Sequence, residues 1–187
     1  MPLGLAASTS GVPAGSRVCA PPSWFRGVAG VRSAWPTSCG PFGRTPDRLK
    51  GTRAQRTGKR YERKALAYLG KTLGKAFEAS PWFRFEDSTR SIRWCQPDGL
   101  LRTKEAAFIF EVKYSFSSAA WWQLRKLYEP VVSKAFGLPV QCIVVCKSFD
   151  SAVPFPEDYR LMPHTHSPCS LLEVPEWDRT RVFVWRP

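Results

Sequence analysis

Three side chains in the middle of the chain have the types and spacing for a site that holds a divalent cation. Asp98 follows Pro97, and thirteen positions later comes Glu111-Val112-Lys113. Residues 108–113 form an apolar run rich in aromatic and β-branched types, the pattern of a buried strand, in which residues two apart share a face. Glu111 and Lys113 therefore project together, beside Ile109. Charges on a core-like strand carry a desolvation cost that folding alone does not explain, so they either reach an open edge or line a site. Asp98-Gly-Leu-Leu101 can form the adjacent strand, joined by a tight connection through Arg102-Thr-Lys-Glu105. Antiparallel pairing across that turn would bring the carboxylates of Asp98 and Glu111 together. Two close carboxylates repel unless a positive charge sits between them, and a hard divalent cation such as Mg²⁺ or Mn²⁺ suits the place. The plainer reading is a turn opened by Asp98 and an edge-strand ion pair between Glu111 and Lys113.

The elements around this stretch must position it. A helix capped by Thr57 is predicted to run to about Glu78, because Leu66, Leu69, Leu73 and Phe77 recur at helical spacing. Glu62 lies near the start of that buried stripe. It is either a partly exposed carboxylate helped by the helix dipole and a neighbouring cation, or a site residue. Pro81 ends the helix in this reading, Trp82–Glu86 alternates as a first strand, and Ser88–Arg90 turns the chain into Ile92–Cys95. After Lys113 a polar break leads to a second helix, Trp121–Tyr128, with a kink or restart at Pro130 and a continuation over Val131–Phe136. Adjacent helical residues cannot face the same way, so core packing of both Trp121 and Trp122 is favoured over stacking on bases. Val140–Cys146 reads as the last core strand, with Cys142 and Cys146 on one face. Those two thiols with His164, His166 and Cys169 could be imagined as a zinc site, but a Cys-x-x-x-Cys strand spacing is wrong for a metal knuckle. The stretch 148–168 reads as irregular. Ser170–Val174 and Arg181–Trp185 read as short strands that form an accessory hairpin or lengthen the sheet.

Pro97-Asp98 and Glu111-Val112-Lys113, with one helix before and another after, resemble the signature of the PD-(D/E)xK nuclease superfamily over about residues 57–147. The resemblance implies an α/β fold with a restriction-endonuclease-like αβββαβ core, its mixed central sheet flanked by helices. It further implies that Asp98, Glu111 and the backbone carbonyl of Val112 hold Mg²⁺, for which Mn²⁺ can substitute. Glu62 would hold the ion through water or help a second one, and Lys113 would assist water attack on a phosphodiester. Lys59 and Arg60 would meet phosphate. RecB-type and lambda-exonuclease-like branches carry a Gln on the second helix followed by a Tyr, which implies that Gln123 orients the water or the phosphate. Here four residues separate Gln123 from Tyr128, one more than the usual Gln-x-x-x-Tyr. On a regular α-helix that places the tyrosine off the glutamine's face. The function implied is a metal-dependent deoxyribonuclease, RecB-like or Holliday-junction-resolvase-like, endonuclease or exonuclease, in recombination, repair or phage DNA processing. The alternative is a non-catalytic nucleic-acid-binding protein that retains the core.

Composition points the same way. The net charge of +13 and pI near 9.9 favour polyanions, nucleic acid first among them. Residues 1–60 hold ten Lys and Arg against Asp47 as their single acid. Residues 1–56, rich in Gly, Pro and Ser, read as a disordered basic arm, 57–147 as the core, and 148–187 as an extension of the same domain. The six scattered cysteines read as free thiols in a reducing compartment. No apolar stretch reaches transmembrane length, so the expectation is a soluble intracellular protein without a membrane partner. By analogy within the superfamily, small size suggests a bacterial or phage enzyme of the cytoplasm. The acid-poor arm leaves mitochondrial or other organelle targeting open, and a homodimer is equally open.

Overall fold

The computed structural model describes residues 30–38, 40–41, 51–150, 159–162, 167–169, 172 and 176–187. Its main body is a mixed sheet with helices packed on both faces, the α/β class expected.

Helix α1 (Arg53–Leu73) starts earlier than Thr57 because a better cap lies upstream. The Thr52 hydroxyl accepts from the Gln55 N–H at 3.2 Å while the Gln55 side chain accepts from the Thr52 N–H at 2.8 Å, a reciprocal capping box. Thr57 instead donates back to the Arg53 carbonyl within the helix. The chain leaves the helix at Gly74, well before Pro81, and Phe77 belongs to a short strand, β2 (Phe77–Ala79).

The strand β3 (Trp82–Asp87) and the strand β4 (Ile92–Cys95) form where the alternation predicts. They do not join the main sheet. They pair antiparallel with each other and with β1 (Val31–Thr37) in a separate three-stranded sheet. The reading of residues 1–56 as a disordered arm is thereby corrected over 31–37 and over the first helical turns, while residues 1–29 lie outside those described. Composition does not reveal β1 because its backbone partners are supplied by β3, far away in sequence. Pro36 is accommodated because β1 is an edge strand. At the β3–β4 turn the Asp87 carboxylate accepts from the N–H and hydroxyl of Thr89, the Ser91 N–H and Arg93 Nε. These bonds, the Thr89 hydroxyl and Arg93 foremost, lower its pKa to about 2.

The main sheet also contains β5 (Gly99–Arg102), β6 (Ala107–Ser115), β7 (Val140–Ser148), β8 (Tyr159–Met162) and β9 (Thr180–Val184), in the order β2-β5-β6-β7-β9-β8. β2 pairs antiparallel with β5 and β5 with β6, whereas β6, β7, β9 and β8 are parallel to one another. Parallel strands covered on both faces are apolar along nearly their whole length, as β6 and β7 are. One face packs on α1 through Tyr61, Ala65 and Leu69 against Phe108, Phe110, Val112 and Val145. The other packs through Ile109, Cys142 and Val144 against the second helical layer and the small sheet. Cys142 and Cys146 are core residues there, both fully buried.

That second layer is one continuous helical run: α2 (Ser118–Gln123), a π-helical turn (Leu124–Tyr128) and α3 (Glu129–Phe136). Pro130 does not break it. It sits in the first turn of α3, directly after the wide π-turn, where its ring escapes the carbonyl it would strike in a regular helix. At the C-terminal end, the strand expected over Arg181–Trp185 is β9, which enters the sheet between β7 and β8 and is buried along its length. β8 lies within the stretch read as irregular. The strand expected over Ser170–Val174 falls, apart from Leu172, outside the described residues, as do His164 and His166.

Candidate active site

The connection between β5 and β6 is the tight turn expected, closed by a hydrogen bond from the Thr103 N–H to the Ala106 carbonyl at 2.9 Å. Its register sets Gly99 opposite Phe110, so one step further Asp98 faces Glu111. Asp98 Oδ2 accepts from the Val112 N–H at 2.7 Å, which pins the carboxylate where the ladder ends. Gly99 is required beside it, because a Cβ there would stand 2.7 Å from the ring of Phe77 on β2.

Glu111 is 2 % exposed. Its Oε1 accepts from the Lys113 ammonium, and its Oε2 is buried with no hydrogen-bond partner. An orphaned carboxylate oxygen in the interior is costly, and a bound ion or a catalytic role is among the explanations for such a group. Burial, then the nearby charge of Asp98, raises the Glu111 pKa to about 7. Asp98 is also raised, by burial, against the opposing Val112 N–H and the charge of Lys113. Burial would lower Lys113, but Glu111 and the other two carboxylates outweigh it, so the ammonium stays protonated.

Glu62 comes to this cluster from α1, half-buried, and its pKa is raised by burial and by the charge of Asp98. Lys113, Lys59 and Arg63 act on it in the opposite direction. Lys59 is thus on the site side of the helix. Arg60 is not: two residues before Glu62 it is turned about 160° around the helix axis. Of the two cations that the resemblance puts against phosphate, Lys59 acts on Glu62, and Arg63 joins it there. Among the described residues no three His, Cys, Asp or Glu side chains close into a ready metal cage. The protein would offer a cation the carboxylates of Asp98 and Glu111 and the carbonyl of Val112, with Glu62 further out. Two carboxylates with one oxygen unsatisfied fit Mg²⁺ or Mn²⁺, which keep several waters in such sites.

Gln123 and Tyr128 do meet. The π-turn between them adds the residue that the five-position spacing requires, and Gln123 Nε2 donates to Tyr128 Oη at 2.5 Å. The expectation that Tyr128 would sit off the glutamine's face is corrected by this local widening of the helix. Tyr128 donates in turn to the Gln96 carbonyl at 3.1 Å, and the Gln96 side chain donates to the Ser80 carbonyl at 2.8 Å. Ser80, in a left-handed conformation (φ 54°), donates its N–H to the Asp98 carbonyl at 2.8 Å. One chain of hydrogen bonds therefore ties the second helical layer to the segment that carries Asp98. Gln96 and Ser80 were not singled out from sequence; the Ser-Pro pair at 80–81, a turn signal, was the one hint. Burial pushes the Tyr128 phenol well above its usual range, with Glu111, Cys95 and Asp98 adding to the effect. Trp121 is buried and Trp122 half-buried, their rings edge to face at 4.8 Å, so both pack as expected.

No protein-family model matches this chain, and no curated protein or solved structure is significantly similar to it. Among the described residues no helix is long and apolar enough to cross a membrane.

Proposed function

We propose that the chain is a metal-dependent deoxyribonuclease of the PD-(D/E)xK type, hydrolysing DNA phosphodiester bonds. The observation that carries this reading is the buried, partnerless Oε2 of Glu111, set opposite Asp98 with Lys113 on the same face. Element order supports it: α1, β2, β5 and β6, the helical layer and then β7 parallel to β6 follow the αβββαβ core of restriction endonucleases. Asp98, Glu111 and the Val112 carbonyl would hold a divalent cation, which would supply a water of lowered pKa and neutralise phosphate charge. Lys113, protonated and on the same face, stabilises the charge that develops on the phosphate. Gln123, fixed by Tyr128, orients the water or a phosphate oxygen. Glu62 keeps the outer side of the site negative, and Lys59 neutralises incoming backbone.

The same Lys113–Glu111 ion pair favours the second reading, a nucleic-acid-binding protein that keeps the core but does not cut, since the pair already fills the place a cation would take. Cleavage of linear duplex, single-stranded, flapped and four-way-junction DNA with Mg²⁺ or Mn²⁺ separates the two. The expected outcome is cutting by wild type, none in EDTA, and none by Glu111→Gln or Lys113→Ala although both still fold and bind DNA. Equal binding by all three proteins without any cutting would leave the binding reading.

A further inference from the structure

Six cations crowd the N-terminal half of α1, and all are exposed: Arg53, Arg56, Lys59, Arg60, Arg63 and Lys64. Among the described residues none of them pairs with a carboxylate. At about 100° per residue they form one continuous arc of about 140°. Lys59, Arg63 and Arg56 are the half of that arc nearer Glu62, about 60° to 120° from it around the axis, and make its near row. Arg60, Arg53 and Lys64 are the far half, about 160° to 180° from it. Such crowding is self-repulsive and places positive charge at the helix end where the dipole disfavours it, so helix stability does not account for it.

A second observation comes from Gly58. It stands one turn before Glu62 on the side that the rest of α1 buries, yet a Cβ there would meet nothing within 4 Å. Glycine weakens a helix interior relative to alanine, and no contact within the described chain calls for it here. Gly58 leaves open space on the side of α1 that carries Glu62, about 40° from it around the helix axis.

We propose that Arg56, Lys59 and Arg63 form a track for a phosphodiester backbone, leading it past Glu62 to the site at Asp98 and Glu111. This rests on the nuclease reading for the track's destination, but not for its binding chemistry. The row spans seven residues, about 10 Å of helix, over which one strand of a duplex presents about three phosphates. Contacts of this kind carry no base information, so the track takes its substrate without regard to sequence.

The test is binding of the full chain to fluorescent duplex and single-stranded DNA in EDTA, followed by anisotropy over a KCl series. For duplex, the triple variant Arg56→Gln/Lys59→Gln/Arg63→Gln should bind with a log–log salt slope shallower by about 2.7, and for single strands by about 2.1. Arg53→Gln/Arg60→Gln/Lys64→Gln removes the same charge and should change the slope by less than about 1. Circular dichroism should show α1 intact in both, and the charge-conserving Arg56→Lys/Lys59→Arg/Arg63→Lys should keep the wild-type slope. Equal losses from the two rows would overturn the proposal in favour of net charge alone, and so would no loss from either. Competition by anionic lipid vesicles as effective as by DNA would overturn it in favour of a membrane surface. Because no metal is present, failure of the track and failure of the nuclease reading separate. Cleavage with an unaffected salt slope removes the track alone, and row-dependent binding without cleavage on any substrate removes the nuclease alone.

Discussion

Glu111 is held at an energetic cost that its pairing with Lys113 offsets only in part. Its folded pKa of about 7 lies above the ordinary 4.5 because burial, and then Asp98, disfavour the charged form. The folded state therefore binds this proton more tightly than the unfolded chain does. The penalty is absent below the ordinary value, grows as pH rises, and is complete above the folded one. In EDTA, Glu111→Gln should become progressively more stable than wild type between about pH 5 and about pH 8, by of order 1–3 kcal/mol at the upper end. Thermal melts across that range check it, and a difference that shrinks with pH would show that Lys113 already compensates the charge. Mn²⁺ at the upper pH should raise the melting temperature of wild type and leave Glu111→Gln nearly unmoved, since only the ionised site gains from the ion.

Among the elements, the π-turn decides how the second helical layer meets the sheet. By inserting one residue it brings Gln123 onto Tyr128 and lets Pro130 start α3, two consequences of one widening. The hydrogen-bond chain through Tyr128, Gln96 and Ser80 then fixes the backbone at Asp98. A double-mutant cycle of Gln123→Ala and Tyr128→Phe, read by urea unfolding, should give a coupling energy of about 1 kcal/mol. Additive single effects would mean that the π-turn serves Pro130 alone. Much of this layer was legible in sequence: the helix, its proline and its glutamine. The contact was not, because i,i+5 spacing predicts different faces unless the helix is locally widened, and the widening depends on packing against the sheet.

At the scale of the molecule, two segments distant in sequence, β1 and β9, complete the fold. β1 covers β3 and packs against α3, with Ala34 8 % exposed among Phe83, Phe85 and Val131 in one cluster. Its outward Trp35 lies under the Arg84 guanidinium at 5.6 Å. β9 lengthens the parallel sheet from inside, between β7 and β8. The N-terminal strand is thus a structural part of the core and not an appendage. Ala34→Asp should destabilise the full chain by about 2–4 kcal/mol, measured by denaturant unfolding, because it buries a carboxylate in an apolar cluster. A change within about 0.5 kcal/mol, the usual size for a surface substitution, would show that β1 is dispensable.

By itself the sequence determined what local physics determines. The apolar run of β6 with Glu111 and Lys113 on one face, the tight turn at Arg102–Glu105 and the pairing that sets Asp98 opposite Glu111 all follow from alternation and turn chemistry within a few residues. The helical stripe of Leu66, Leu69 and Leu73 follows in the same way. Tertiary structure decided which strands share a sheet. β2 and not β3 flanks β5, and β3 and β4 go to β1, because edge partners are chosen by packing between segments far apart in the chain. That Arg60 stands away from Glu62 is, by contrast, local, since two residues of α-helix turn a side chain about 160° around the axis. Finally, tertiary structure decided that Glu111 Oε2 is left without a partner, a property of everything that surrounds the residue and of no residue taken alone.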